Sequence, residues 1–304
     1  MRRLFTARPA VVSPILFDLA YRFPQRGNQR GNQRGNRFAS LVLALLLSLA
    51  IGWSNRALAQ PNPSPSAPPA PSTPAPADLP PAVAQTIAQI DAAANQRDFE
   101  AVMSFYSPQF THSDGFTYQT LQSTLQALWE RYPTLTYQTT IDSYKREGNA
   151  DIVETTTTIT GSLTEANRPT NLTSTIRSRQ RIEGNQIVQQ EILSETSQTA
   201  SGTTPPTVEV MLPEQVTIGQ AFDFDAIVEE SLENRILLGA VQDEPTDASG
   251  YLQTLPVEYE VLSAGGLFKQ GRAAAVPGDR WISGIIVRDD GITTVSRRMR
   301  VVRP

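Results

Sequence analysis

The sequence predicts an α+β module, with three helices on one face of an antiparallel sheet. An all-β sandwich follows it, and a disordered N-terminal region with one apolar helix precedes it. Three observations carry this expectation. Apolar residues recur at helical spacing between positions 83 and 132, then alternate from about 135 to 196. From about residue 207 the chain holds only short alternating runs cut by turn residues, with no sustained helical period. Residues 38–53 are uncharged and Leu-rich, and residues 60–81 are dense in proline.

Charge divides the chain in the same place. The 304 residues hold 26 Lys+Arg, 30 Asp+Glu, one His and no Cys. Residues 1–59 contain nine Arg and one acid, Asp18, while the rest carries a balance of −12. An acidic body lacks the clustered cations that release phosphate counterions, so nucleic acid is not an expected partner. Without Cys there is no disulfide framework, thiol nucleophile or Cys-ligated metal, and one His supplies no multi-His site.

In residues 1–59, a basic flank, the apolar stretch Phe38–Trp53 and the small residues Ala57-Leu58-Ala59 have the layout of a secretory signal peptide. Cleavage after Ala59 is expected, leaving Gln60 first. That predicts an exported bacterial protein, periplasmic or extracellular. The apolar run of 16 residues is short of the roughly 20 that span a bilayer, so a single-pass anchor at 38–53, the only expected membrane contact, is the alternative. The tetrapeptide Gln25-Arg26-Gly27-Asn28 occurs three times in tandem up to Asn36 and supplies positive charge ahead of the apolar core. Residues 60–81 read as an extended polyproline-type linker.

The first folded part is expected over 82–200. Val83, Ile87, Ile90 and Ala94 form one helical stripe. Asp98 is a good N-cap for a second short helix carrying Phe99, Val102, Met103 and Tyr106, with Ser107-Pro108 ending it. Phe110 to Gly115 reads as a short strand entering a turn. A third helix carries Leu121, Leu125, Leu128 and Tyr132 on one face, with Trp129 beside them and Pro133 as its stop. Four strands follow: Leu135–Ile141, Asp151–Thr160, Leu172–Ile182 and Gln186–Thr196, with turns at Gly148-Asn149 and Gly184-Asn185.

This order of elements resembles the nuclear transport factor 2-like superfamily, which includes SnoaL-like and ketosteroid isomerase-like proteins. The residues that carry the resemblance are Ile87–Ala92, Arg97–Pro108, Phe110–Gly115 and Gly184–Val188. It implies a cone, with a curved sheet wrapped on the helices and a pocket between them. That fold hosts enzymes, small-ligand binders and association domains alike. The resemblance also makes a homodimer through the sheet of the cone an expected partner arrangement.

Two sets of residues are candidates for chemistry. His112 and Asp114 sit two apart on an expected strand, so a carboxylate could orient an imidazole that moves a proton. Members of the superfamily that act as isomerases or dehydratases place such groups in the cone. The competing reading makes His112 an ordinary strand residue and Asp114 a turn cap. Tyr106, Trp129, Tyr132 and Tyr137 are ligand-pocket candidates, with core packing as the alternative. Arg177, Arg179 and Arg181 fall on one sheet face, either as an anion-contact face or as partners of acids such as Glu154.

The polar stretch Ser197–Thr204 reads as a hinge, with the boundary between the two folded parts at 201–206. Beyond it, residues 207–304 show about seven short strands, among them Val208–Leu212, Phe222–Asp225, Arg235–Val241, Val257–Leu262, Trp281–Val287 and Thr293–Val302. Asp290-Gly291 marks a hairpin. This resembles a β-sandwich of immunoglobulin-like type, without its Cys–Trp–Cys arrangement. The acids Asp223, Asp225, Glu229, Glu230, Glu233, Asp243, Glu244, Asp289 and Asp290 are scattered over several turns, so a calcium site is not expected.

No cofactor and no metal are expected. No phosphate-binding loop, G-x-S-x-G elbow or H-E-x-x-H motif occurs. The leading expectation is a non-catalytic exported envelope protein, acting through an unknown envelope partner or a small apolar ligand in the cone. The rivals are an isomerase or dehydratase using His112 with Asp114, and a membrane-anchored assembly factor.

Overall fold

A computed structural model describes residues 76, 78–165, 168–231, 235–249, 251, 257–262 and 265–304. The expected signal or anchor segment 38–53, the cleavage site at Ala59 and most of the proline-rich linker lie outside the described residues. Among the described residues, no helix is long and apolar enough to cross a membrane.

The chain opens with helix α1 (Pro81–Gln96), which has Pro at its start and ends where Arg97 adopts a left-handed conformation. Asp98 caps α2 (Phe99–Ser104), its carboxylate accepting the Ala101 N–H at 3.0 Å. Helix α2 is only six residues long, so Tyr106 opens strand β1 (Tyr106–His112) instead of continuing the helix as its spacing suggested. Thr117 and Thr120 form a reciprocal capping box at the start of α3 (Tyr118–Arg131). The C-terminal carbonyls of α3 are held by the Arg97 guanidinium, which donates to the carbonyls of Trp129, Tyr132 (3.0 Å) and Pro133 (2.8 Å).

Four long strands form an antiparallel meander: β2 (Thr134–Glu147), β3 (Ala150–Glu165), β4 (Arg168–Glu183) and β5 (Gln186–Gly202). Alternation sets their faces. In β4 the residues Leu172, Ser174, Ser178, Gln180 and Ile182 are buried toward the helices, while Thr173, Arg177 and their row point away. The free edge of β2 is blunted from α1. Asn95 pairs with both backbone groups of Tyr137 (2.8 and 2.9 Å), and Asp91 accepts the Thr139 N–H at 2.6 Å.

The expected architecture, a three-helix cone joined by a hinge to an independent immunoglobulin-like sandwich, is overturned at β5. Strand β5 runs through the supposed hinge to Gly202. The later chain supplies β6 (Val208–Met211), β7 (Gln215–Thr217), β8 (Ala221–Val228), β9 (Leu237–Pro245), β10 (Glu260–Leu262), β11 (Gly266–Arg272), β12 (Gly278–Arg288) and β13 (Gly291–Val302). Strand β13 pairs antiparallel with β5, from Arg297 opposite Thr196 to Gly291 opposite Gly202. The result is one ten-stranded sheet in the order β10-β9-β12-β13-β5-β4-β3-β2, with β1 beside β5 and β7 beside β13.

The physical reason is that backbone pairing satisfies residues 196–201 on both sides. Their serines, which read as hinge composition, pack inward: Ser197 is buried and its hydroxyl meets that of Ser174 at 2.8 Å. A second sheet, β11-β8-β6, faces the C-terminal end of the long sheet. Phe222, Phe224, Leu237, Leu267, Ile282, Ile286, Val295 and Met299 fill the space between. Each such side chain contributes roughly 1.5–3 kcal/mol when fully buried. Gly284 leaves room for the Phe224 ring there, since an added Cβ would stand 2.9 Å from it.

Candidate functional site

Between the helices and the sheet lies a cavity of about 260 Å³. α1 contributes Ile87, Ile90 and Ala94, and α3 contributes Leu121, Leu125 and Leu128. The sheet wall is formed by Ile159, Leu172, Ile176, Ile187 and Ile192. These residues are the inward half of each period that the sequence displays, so the same apolar stripes that build the core also leave this space. Asp91 reaches the wall, but its carboxylate is spent on the Thr139 N–H and hydroxyl (2.6 and 2.7 Å).

The four aromatic candidates divide evenly. Tyr106 and Tyr137 line the cavity. Burial, with the neighbouring Tyr137, pushes the Tyr106 phenol up to about 12, so it stays protonated. Burial also raises the Tyr137 phenol, whose oxygen accepts the Trp129 indole N–H at 2.8 Å. Trp129 and Tyr132 lie in the packed cluster with Ala93, Val102 and Leu135 and do not line the cavity.

His112 lines the cavity and Asp114 does not. Strand β1 ends at His112, and the turn through Gly115, whose φ of +82° favours glycine, carries Asp114 away from the imidazole. The two still touch, but through the backbone: the Asp114 N–H donates to His112 Nδ1 at 3.0 Å. That bond places the ring proton on Nε2. Burial holds the imidazole down at about 4, against a smaller upward pull from Asp114, so it is neutral at pH 7. Nε2–H has no acceptor among the described residues. His112 therefore offers the cavity a hydrogen-bond donor and no free basic nitrogen, and the structure assembles no carboxylate–imidazole dyad.

The Asp114 carboxylate is closed on Arg298. The guanidinium donates to both its oxygens at 2.9 and 2.6 Å, and side-chain exposure is 1% for Asp114 and 2% for Arg298. Ser113 and the Tyr251 hydroxyl donate to the same carboxylate at 3.1 and 3.2 Å. Arg298 also reaches Glu195 and Asp279, each at 3.1 Å, and Glu195 accepts the Trp281 indole N–H at 2.9 Å. Burial pushes the Asp114 carboxyl up, but the hydrogen bonds and charge of Arg298 outweigh it and hold it below the ordinary carboxylate range. For Glu195 burial wins and the carboxyl is raised.

This cluster ties both halves of the chain to the cavity. Tyr251, from the segment after β9, lines the cavity and stacks edge-on between Phe116 (4.7 Å) and Trp281 (4.8 Å). Neither Arg298 nor Tyr251 stands out in sequence, because their partners lie 184 and 137 positions away.

The arginine row lies on the opposite sheet face. Arg177 and Arg179 share Glu154 (2.7 Å each), Arg179 also meets Glu191 at 2.9 Å, and Arg181 meets Glu183 at 2.8 Å. Of the acids beyond 207, Asp290 pairs with Arg288 and Arg235, and Asp243 with Arg280. Among the described residues no three acid or histidine side chains converge as a metal site.

A family model described as a domain of unknown function (DUF8623) matches residues 203–302. No curated protein matches the chain. Among solved structures, the chain is similar to Bd1075 of Bdellovibrio bacteriovorus at 16% identity and a TM-score of 0.28, over 36% of this chain and 38% of that one. It is similar to a putative scytalone dehydratase from Novosphingobium aromaticivorans at 11% identity and a TM-score of 0.31, over 36% and 80% of the two chains. A SnoaL-like polyketide cyclase from Agrobacterium tumefaciens is similar at 12% identity and a TM-score of 0.27, over 38% and 91%. The chain thus spans well under half of the Bdellovibrio protein and most of the other two.

Proposed function

We propose that this chain binds a small, mainly apolar molecule reversibly in the cavity between α1, α3 and the long sheet, without transforming it. The observation that carries this reading is a mainly apolar cavity whose imidazole, that of His112, already bears its proton on Nε2. A general base would need a free lone pair within reach of the substrate and an orienting partner. Here the lone pair is spent on the Asp114 N–H and the Asp114 carboxylate is committed to Arg298.

Calorimetric titration of the full chain with small cyclic hydrocarbons and ketones tests this. The reading expects saturable one-to-one binding with a negative heat-capacity change, abolished by the cavity-filling substitution Ile176→Trp. Binding that is absent, or indifferent to Ile176→Trp, contradicts it, as does turnover of any bound ketone.

We further infer that the protein works outside the cytoplasm as an envelope protein. The support is the basic flank, the apolar stretch 38–53 and the Ala57-Leu58-Ala59 site. N-terminal sequencing of protein from fractionated cells is expected to begin at Gln60. Uncleaved protein in the cytosolic fraction contradicts export, and uncleaved protein in the membrane fraction favours the anchor instead.

A further inference from the structure

The inward stripe of α1 is broken by one acid. Ile87, Ile90, Asp91 and Ala94 all line the cavity, and helical spacing puts them on one face. Among the described residues that line it, Asp91 is the sole acid, and no Lys or Arg is present. Each Asp91 oxygen accepts one bond from Thr139, Oδ2 from the N–H at 2.6 Å and Oδ1 from the hydroxyl at 2.7 Å. Those bonds aim the carboxylate, but neither brings a positive charge to it, and among the described residues it has no ion pair. The edge of β2 does not need that charge. Asn95, one turn further along α1, serves Tyr137 in the same way with a neutral amide, at 2.8 and 2.9 Å.

The hydrogens around this carboxylate have a fixed order. Thr139 spends its hydroxyl proton on Asp91, so in the 3.0 Å contact between Thr139 and Thr157 the donor is Thr157. Thr157 stands opposite Thr139 on β3 and also lines the cavity, and its oxygen is left with lone pairs to offer. Asp91, Thr139 and Thr157 are half-buried, not sealed. Tyr137, on the same face of β2 as Thr139, adds an aromatic ring to the lining, and such rings attract cations. His112 is neutral near pH 7 and supplies no countercharge. The corner thus offers acceptors and one negative charge, and a carboxylate set in a mainly apolar wall calls for a cation.

Resting on the binding reading above, we propose that the occupant carries one ammonium group on a compact apolar body. Its N–H groups donate to the Asp91 carboxylate and the Thr157 oxygen, while the body lies against Ile159, Leu172 and Ile176. Hydrogen bonds to a charged acceptor are worth about tenfold or more in affinity. The cavity of about 260 Å³ sets the scale, which is that of a hydrocarbon cage. Adamantylamine is such a cation at pH 7. Adamantanol and adamantanecarboxylate keep the cage and replace the ammonium by a neutral and by a negative group.

The test is an NMR titration of the full methyl-labelled chain at pH 7 with these three compounds, read at the Ile87 and Ile176 methyls that line the cavity. The amine is expected to bind about tenfold more tightly than the alcohol, and the carboxylate, which would face Asp91, most weakly. Asp91→Asn keeps an acceptor for the Thr139 N–H and is expected to lower the ratio of amine to alcohol affinity about tenfold. Thr157→Val, close in shape and away from the β2 edge, is expected to lower the same ratio about threefold, and it serves should Asp91→Asn fail to fold. Equal binding of amine and alcohol overturns the proposal, because Asp91 then only caps the edge of β2, while the cavity reading survives. A preference for the carboxylate overturns it too, as does a preference for the amine that survives Asp91→Asn. If none of the three binds, this proposal and the binding reading fall together.

Discussion

Removing the guanidinium of Arg298 tests how the two halves of the chain are joined. Arg298→Met keeps most of the apolar stem but leaves Asp114 and Glu195, with side chains 1% and 3% exposed, without their shared cation. Breaking a buried pair by deleting one partner costs about 3–5 kcal/mol, because the remaining charge has no solvent to meet it. Glu195 relieves part of that by taking up a proton, since burial already raises its carboxyl. Asp114 loses the interactions that hold its carboxyl low and becomes the main source of the cost.

Urea unfolding at pH 7 should therefore show a loss of about 3–5 kcal/mol, and the loss should shrink at pH 5, where orphaned carboxyls protonate more readily. The double variant Asp114→Asn with Arg298→Met should recover about 2 kcal/mol relative to the sum of the single variants. A loss below about 1 kcal/mol, or one equal at both pH values, refutes the reasoning, for surface pairs behave that way.

Three further outcomes are expected. Ser197→Pro removes a ladder N–H from the strand shared by both halves and should cost about 3 kcal/mol or more by urea unfolding, whereas a true hinge would tolerate it. Gly284→Val forces a side chain into the Phe224 ring and should cost about 1–3 kcal/mol by thermal unfolding, with Gly284→Ala costing less. His112, held at about 4 against an ordinary 6.5, binds fewer protons folded than unfolded. Its contribution is present above pH 6.5 and is lost as pH falls toward 4, by up to about 3 kcal/mol. Between pH 6.5 and 4 wild type should lose up to about 3 kcal/mol relative to His112→Gln, which does not titrate there, and parallel curves contradict the assignment.

Local features of the fold were legible in sequence because their causes are local. The α1 stripe, the Asp98 cap and the inward alternation of β4 each follow from neighbouring residues. Tyr106 reads as helical in sequence but opens β1, because α2 stops after six residues, a length at which periodicity carries little information. The pairing of His112 with Asp114 assumed that β1 continued two residues further than it does. The junction was illegible for another reason. Pairing of β5 with β13 is made by backbone atoms, which leave no mark on composition, so Ser197–Thr204 looked like a linker. The Asp114–Arg298 pair and Tyr251 are brought together only by that junction. The cavity's apolar wall follows from the stripes, but the placing of His112, Gln190 and Gln180 side by side on β1, β5 and β4 is set by strand register.

Scanning calorimetry of the intact chain, alone and with a saturating small apolar ligand, bears most directly on a cavity whose sheet wall is continuous with the later strands and whose lining includes Tyr251. The account predicts a single cooperative transition that moves to higher temperature as a whole when ligand is added. Two separate transitions, of which ligand shifts only one or neither, would contradict it.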